Sequence, residues 1–114
     1  MQSKNKFPMQ NIFDIKKVKL FKKEIFEVIL KKENFRIERI ISSGQSTVIG
    51  KWIFQKEDEW FLLLQGYSEI LMKSGERIFL KEGDYFFIPS GTKHRVEYTS
   101  KKPKCIWLAV HSKI

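Results

Sequence analysis

The chain has 114 residues, 42% hydrophobic and 31% charged, with a formal net charge of +9 and a single cysteine, Cys105. That length suits one domain with its own core, the composition argues against an intrinsically disordered chain, and a lone cysteine cannot form an internal disulfide. No apolar run approaches the ~20 residues of a membrane-spanning helix, and the polar, basic stretch from Met1 to Met9 does not read as a secretory signal. The expectation is a cytoplasmic protein with no membrane partner.

Residues 1–10 read as a frayed tail, and Asn11 to Ile15 as a short apolar patch lying on the body as a strand or turn. From Phe21 to Leu30 the apolar positions Phe21, Ile25, Val28 and Ile29 recur at three and four residues, with Lys22, Lys23, Glu24 and Glu27 between them. This spacing predicts an amphipathic helix of about three turns. Lys31 and Lys32 suit its C-terminal end, and Asn34 closes it.

Beyond Asn34 the period falls towards two. Phe35, Ile37 and Ile41 interleave with Arg36 and Glu38 as a strand. Gly44 to Ser46 is a turn, Thr47 to Phe54 a strand, Lys56 to Asp58 a polar turn and Trp60 to Leu64 another strand, broken by Gln65-Gly66. Tyr67 to Met72 and Glu76 to Leu80 flank Lys73-Ser74-Gly75 as a hairpin. Glu82-Gly83-Asp84 turns into a short strand, Tyr85 to Ile88, which ends at Pro89-Ser90-Gly91. His94 to Tyr98 and Cys105 to His111 form the last hairpin.

One helix followed by about eight short strands, with no alternation of the two, indicates an all-β fold, an antiparallel jelly-roll barrel. Residues 1–34 then form a tail and a helix packing on the barrel, and residues 35–114 the barrel. Trp60 to Leu64 and Cys105 to Val110 are apolar on both parities, so both their faces need cover. The outer cover can be that helix, the N-terminal segment or a second copy of the chain; one short helix hides only part of that surface, which predicts a homodimer.

The basic excess raises a nucleic-acid partner, which the residue types count against. Only four of the 22 basic residues are Arg, the side chain that reads and stacks on bases, and the lysines are scattered in pairs along the chain. They read as the coat of a soluble surface, and nucleic acid is set aside.

Two stretches carry more information than composition. One runs Gly83, five residues, Pro89, Ser90, Gly91, two residues, His94; the other runs Glu59, six residues, Gly66. The glycines and the proline are punctuation of the fold: a positive φ at the Gly83 turn, a strand end at Pro89, and a sharp return at Gly91 that sends His94 into the next strand pointing inward.

This arrangement resembles the cupin superfamily, whose motifs run G-x5-H-x-H-x3/4-E-x6-G and G-x5-P-x-G-x2-H-x3-N. The second motif is matched except at its end, where Tyr98 replaces Asn. In the first, Glu59 and Gly66 match, but the two His positions fall on Ile53 and Gln55, or on Trp52 and Phe54, and neither register holds a His. The resemblance implies a jelly-roll barrel with a pocket at one end, and for the family a divalent metal held by the motif His and Glu. Here the degraded first motif leaves His94 and Glu59, joined by His111 if the last strand carries it inward. A slip of one residue turns His111 outward, and its place near the end of the chain suits a surface or rim residue. The candidate metal ligands are therefore His94, Glu59 and His111, for Zn, Fe, Mn or Ni.

The candidate ligand-binding residues are Gln55, Glu59, Phe61, His94 and Trp107, with Ile53 and Phe87 or its neighbours in the wall. Cys105 reads as a small core residue. The expected function is capture of a small polar ligand, a divalent metal or both in the pocket; the alternative is a divergent metal-dependent enzyme of oxygenase or isomerase type.

Overall fold

The computed structural model of the protein describes residues 6–18 and 23–113. Eight strands lie among them: β1 Ile25–Lys31, β2 Phe35–Ser42, β3 Asp58–Gln65, β4 Ser68–Met72, β5 Arg77–Leu80, β6 Tyr85–Ile88, β7 His94–Thr99 and β8 Cys105–Ser112. From β3 onward they fall within a residue or two of the expected strands.

The expected helix is not there. From Ile25 to Leu30 the segment is strand β1, Lys23 and Glu24 precede the strand, and Phe21 and Lys22 lie outside the described residues. A bulge accounts for the misleading period. Val28 pairs with Glu38 and Leu30 with Ile37, so Ile29 is an extra residue in the ladder. One inserted residue breaks the alternation and mimics a spacing of three. β-Branched Ile25, Val28 and Ile29 are moreover at ease in extended chain. Lys32 N–H donates to Phe35 O at 2.8 Å, so Asn34 sits in a hairpin turn and caps no helix.

The strand expected over Thr47–Phe54 is also absent: the segment is a loop with a single bridge, Ile53 to His94. Arg95 explains its path. Its guanidinium donates to the carbonyls of Thr47 (2.9 Å), Lys51 (3.0 Å) and Val48 (3.2 Å), and Lys51 N–H closes a turn onto Val48 O at 3.0 Å. Carbonyls used this way cannot join a ladder.

The strands form two antiparallel sheets, one ordered β1-β2-β8-β3-β6 and the other β5-β4-β7. They face one another as a jelly-roll sandwich rather than one closed barrel. The core lies between them, where Ile40, Leu63, Trp107 and Ala109 of the larger sheet meet Ile70 and Leu80 of the smaller, with Cys105 fully buried.

β8 is the centre of the larger sheet, flanked by β2 and β3. Its inward residues are Cys105, Trp107, Ala109 and His111, while Ile106, Leu108 and Val110 face outward. Ile37 and Ile41 share the outer face by register with Val110 and Ile106. Arg39, opposite Leu108, donates to the carbonyls of Ile12 (3.0 Å) and Asp14 (2.8 Å), which draws the N-terminal segment onto that face. Apolar residues of both parities therefore reflect a core on one side and partial cover on the other.

Candidate functional site

Between the sheets lies a cavity of about 380 Å³. The period of two decides what enters it. His111 faces Arg36 on β2 and Glu59 on β3, and Trp107 faces Ile40 and Leu63. Directly opposed residues share a face, so the inward set of β2 is Arg36, Glu38 and Ile40. On β6, Ile88 lies opposite Glu59 and Phe86 opposite Phe61.

All the residues singled out from the sequence except Phe87 line this cavity: Gln55, Glu59, Phe61, His94, Trp107, His111 and Ile53. Phe87 pairs with Trp60, points to the other face and is 55% exposed. Its neighbour Phe86 takes the wall position and stacks on Phe61 at a ring distance of 5.4 Å.

His94 is almost wholly buried, and its Nδ1 lies 3.0 Å from Thr92 O. A carbonyl only accepts, so Nδ1 carries a hydrogen; in a neutral ring Nε2 is then the acceptor. That Nε2 stands 3.8 Å from Glu59 Oε1, too far for a hydrogen bond. Gly91, at φ 78°, supports the arrangement by turning the chain, and its N–H donates to Gln55 O at 2.8 Å. The loops bearing Gln55 and His94 are thereby tied together. Gln55 Oε1 is buried without a hydrogen-bond partner among the described residues.

His111 lies between two carboxylates. Its Nε2 is 2.9 Å from Glu38 Oε1, and its Nδ1 is 3.3 Å from Glu59 Oε2, an ion pair without hydrogen-bond alignment. Burial by itself would lower its pKa, but contact with Glu59 and the charges of Glu59 and Glu38 outweigh both burial and the repulsion of Arg36, and the net shift is upward. Arg36 gives its Nη1 to both oxygens of Glu57, at 2.8 and 2.7 Å. Glu24 accepts from the Ser42 hydroxyl at 2.5 Å, and burial raises its pKa more than that bond lowers it.

Glu24, Phe26, Arg36 and Glu38 are cavity residues that sequence reasoning missed. Reading residues 21–30 as helix hid the first two. Arg36 and Glu38 looked like the solvent side of an alternating strand, yet they share the parity of buried Ile40. That parity was the available signal.

The metal implied for His94, Glu59 and His111 does not fit the donors as they stand. Both His111 nitrogens face carboxylates, which favours the protonated ring and removes its lone pair. A metal about 2.1 Å from each donor would span the 3.8 Å between His94 Nε2 and Glu59 Oε1 only at an angle of about 130°, wider than tetrahedral. Among the described residues no group of three or more His, Cys, Asp or Glu has a geometry able to hold a metal.

Comparison with known proteins agrees with the fold. A structure from Ralstonia eutropha JMP134, solved as a "putative mannose-6-phosphate isomerase", is 31% identical, covers 94% of this chain and 99% of its own, and superposes with a TM-score of 0.86. A cupin superfamily protein from Desulfitobacterium hafniense DCB-2 is 17% identical over 82% of this chain and 80% of its own, TM-score 0.68. The polyketide cyclase RemF from Streptomyces resistomycificus is 20% identical over 80% and 66%, TM-score 0.67. At these last two identities only the fold is shared. No curated protein matches. The family model described as "Cupin domain" matches residues 40–111. With that match over more than half its length, and with the two-sheet jelly roll around His94 and Glu59, the chain belongs to the cupin family.

Proposed function

We propose that this cupin captures a small polar ligand in the cavity between its sheets, with His94, Glu59 and Gln55 as the polar contacts and Ile53, Phe61 and Trp107 as the apolar wall. The observation that carries this reading is that His94 Nε2 and Glu59 Oε1, on two almost wholly buried residues lining the cavity, stand 3.8 Å apart, an ion-pair distance beyond hydrogen-bond reach. A ligand that bridges the two can supply the hydrogen bonds they do not make to each other. A few convergent polar groups in a largely apolar cavity are the usual anatomy of a small-molecule site.

A thermal-shift screen of sugars, polyols and amines against the purified chain tests the reading. A hit abolished by His94→Ala supports it; a hit that survives that change in full contradicts the assigned site. An isomerase-type enzyme is the second reading, favoured by the name of the 31% identical relative. Turnover of a sugar phosphate that depends on added divalent metal would favour it. The assembly we propose is a homodimer through the outer face of the larger sheet, where Leu62, Leu108 and Val110 remain only partly covered. Light scattering at twice the chain mass is the expected result.

A further inference from the structure

We infer that the group recognised in this cavity is a primary ammonium borne on an apolar body; the inference rests on ligand capture at His94 and Glu59 as proposed above. With Nδ1–H given to Thr92 O, Nε2 of a neutral His94 ring is an acceptor, as is Glu59 Oε1. One hydroxyl carries one hydrogen and serves one of them, whereas an ammonium carries three donors. A nitrogen about 2.8 Å from each atom spans their 3.8 Å separation at about 85°, within the tolerance of two hydrogen bonds. Gln55 also lines the cavity, and its Oε1 is buried without a partner among the described residues.

Charge points the same way. The carboxylates of Glu24, Glu38 and Glu59 line the cavity, against Arg36 and His111. Both cations are already engaged, Arg36 by Glu57 and His111 between Glu38 and Glu59. No lysine is among the described residues lining the cavity, although the chain as a whole carries +9. A phosphate or carboxylate entering here meets carboxylates and no unengaged cation among the described residues lining the cavity, which disfavours the sugar phosphate in the name of the Ralstonia relative. Glu24, which burial holds above the usual carboxylate range, accepts from Ser42 but is paired with no cation among the described residues. The rings of Phe61, Phe86 and Trp107 complete a wall that suits an alkylammonium.

The test compares three probes with one ring and different head groups, benzylammonium, benzyl alcohol and benzoate, together with mannose. Each is titrated at millimolar concentration into the full chain, followed by the ring resonances of His94 and by thermal shift. Benzylammonium is expected to bind at least about tenfold more tightly than benzyl alcohol, the scale of a charge-assisted hydrogen bond, and benzoate not at all. Glu59→Gln should weaken the ammonium about tenfold and leave the alcohol nearly unchanged. Glu24→Gln, at a half-buried position, repeats the comparison if Glu59→Gln does not fold. Benzyl alcohol, benzoate or mannose binding as well as the ammonium, with loss in His94→Ala, would overturn the ammonium assignment and leave the ligand site standing. Silence of all four probes at His94 would overturn both. Zn²⁺ alone binding at His94 and displacing benzylammonium would replace the ammonium by a metal and also overturn the inference.

Discussion

Glu59 and His111 stand directly opposite each other on β3 and β8, their side chains 3.3 Å apart and both almost wholly buried. A buried carboxylate and imidazole at that distance make folding depend on pH. The His111 pKa is raised in the folded protein. Its contribution is therefore fully present below the unfolded value of about 6.5 and is lost as pH rises through the folded value. The difference in melting temperature between the protein and His111→Leu should shrink from pH 6 to pH 9. A difference that stays constant or grows would show that the ring is neutral at both ends. Glu24, also raised, acts with the same sign at lower pH: its contribution is full below about 4.5 and declines above. Glu24→Gln separates the two windows.

Replacing His94 with Ala should leave the sandwich folded. The ring makes one side-chain hydrogen bond, to Thr92 O, and faces a cavity, so about 1–2 kcal/mol of stability is at stake. Ligand capture should disappear. Circular dichroism and the ligand thermal shift, read together, check both halves; an unfolded variant would make His94 a structural residue.

Gly66 sits at φ 98°, and a Cβ there would come within 2.8 Å of Cys105 Sγ and Ser100 Oγ and 3.0 Å of Cys105 Cα. The left-handed φ strains any side chain, and the overlap falls on two buried side chains and on the Cα of Cys105. Gly66→Ala should cost about 2–4 kcal/mol and lower the melting temperature by roughly 10 °C or more. A melting temperature within a degree of the parent would contradict this turn.

Arg95 holds the loop of residues 47–51 by three carbonyls, and the chain runs on from there to Ile53 and Gln55 in the cavity. Lys has no planar fork and cannot reach all three. Arg95→Lys should raise hydrogen exchange across residues 47–55 and weaken ligand capture, with little change in β8. Unchanged exchange in that loop would show that the guanidinium does not hold it.

The strands from Trp60 to the end of the chain were legible because their turns carry Gly and Pro and their periods are short. The cavity lining was legible where a motif residue fixed the parity: His94 and Glu59 first, then Gln55 and Phe61, which share the parity of Glu59; Trp107 lines the cavity on β8, which holds no motif residue. The facing of His111 needed the β8 register, which pairs it with Glu59 and Arg36. β1 was illegible because the bulge at Ile29 breaks its alternation. With β1 went Glu24 and Phe26. Thr47–Phe54 misled for another reason: its composition favours a strand, but Arg95, far along the chain, takes the carbonyls a ladder would use.

The account turns on the imidazole of His94 offering a bare Nε2 to the cavity. Long-range ¹⁵N–¹H correlation of the histidine rings reports which nitrogen carries the hydrogen, with and without a thermal-shift hit. The prediction is a neutral ring protonated at Nδ1, whose Nε2 resonance moves on ligand addition and returns on dilution. A ring protonated at Nε2, or an Nε2 resonance indifferent to every ligand, would contradict it.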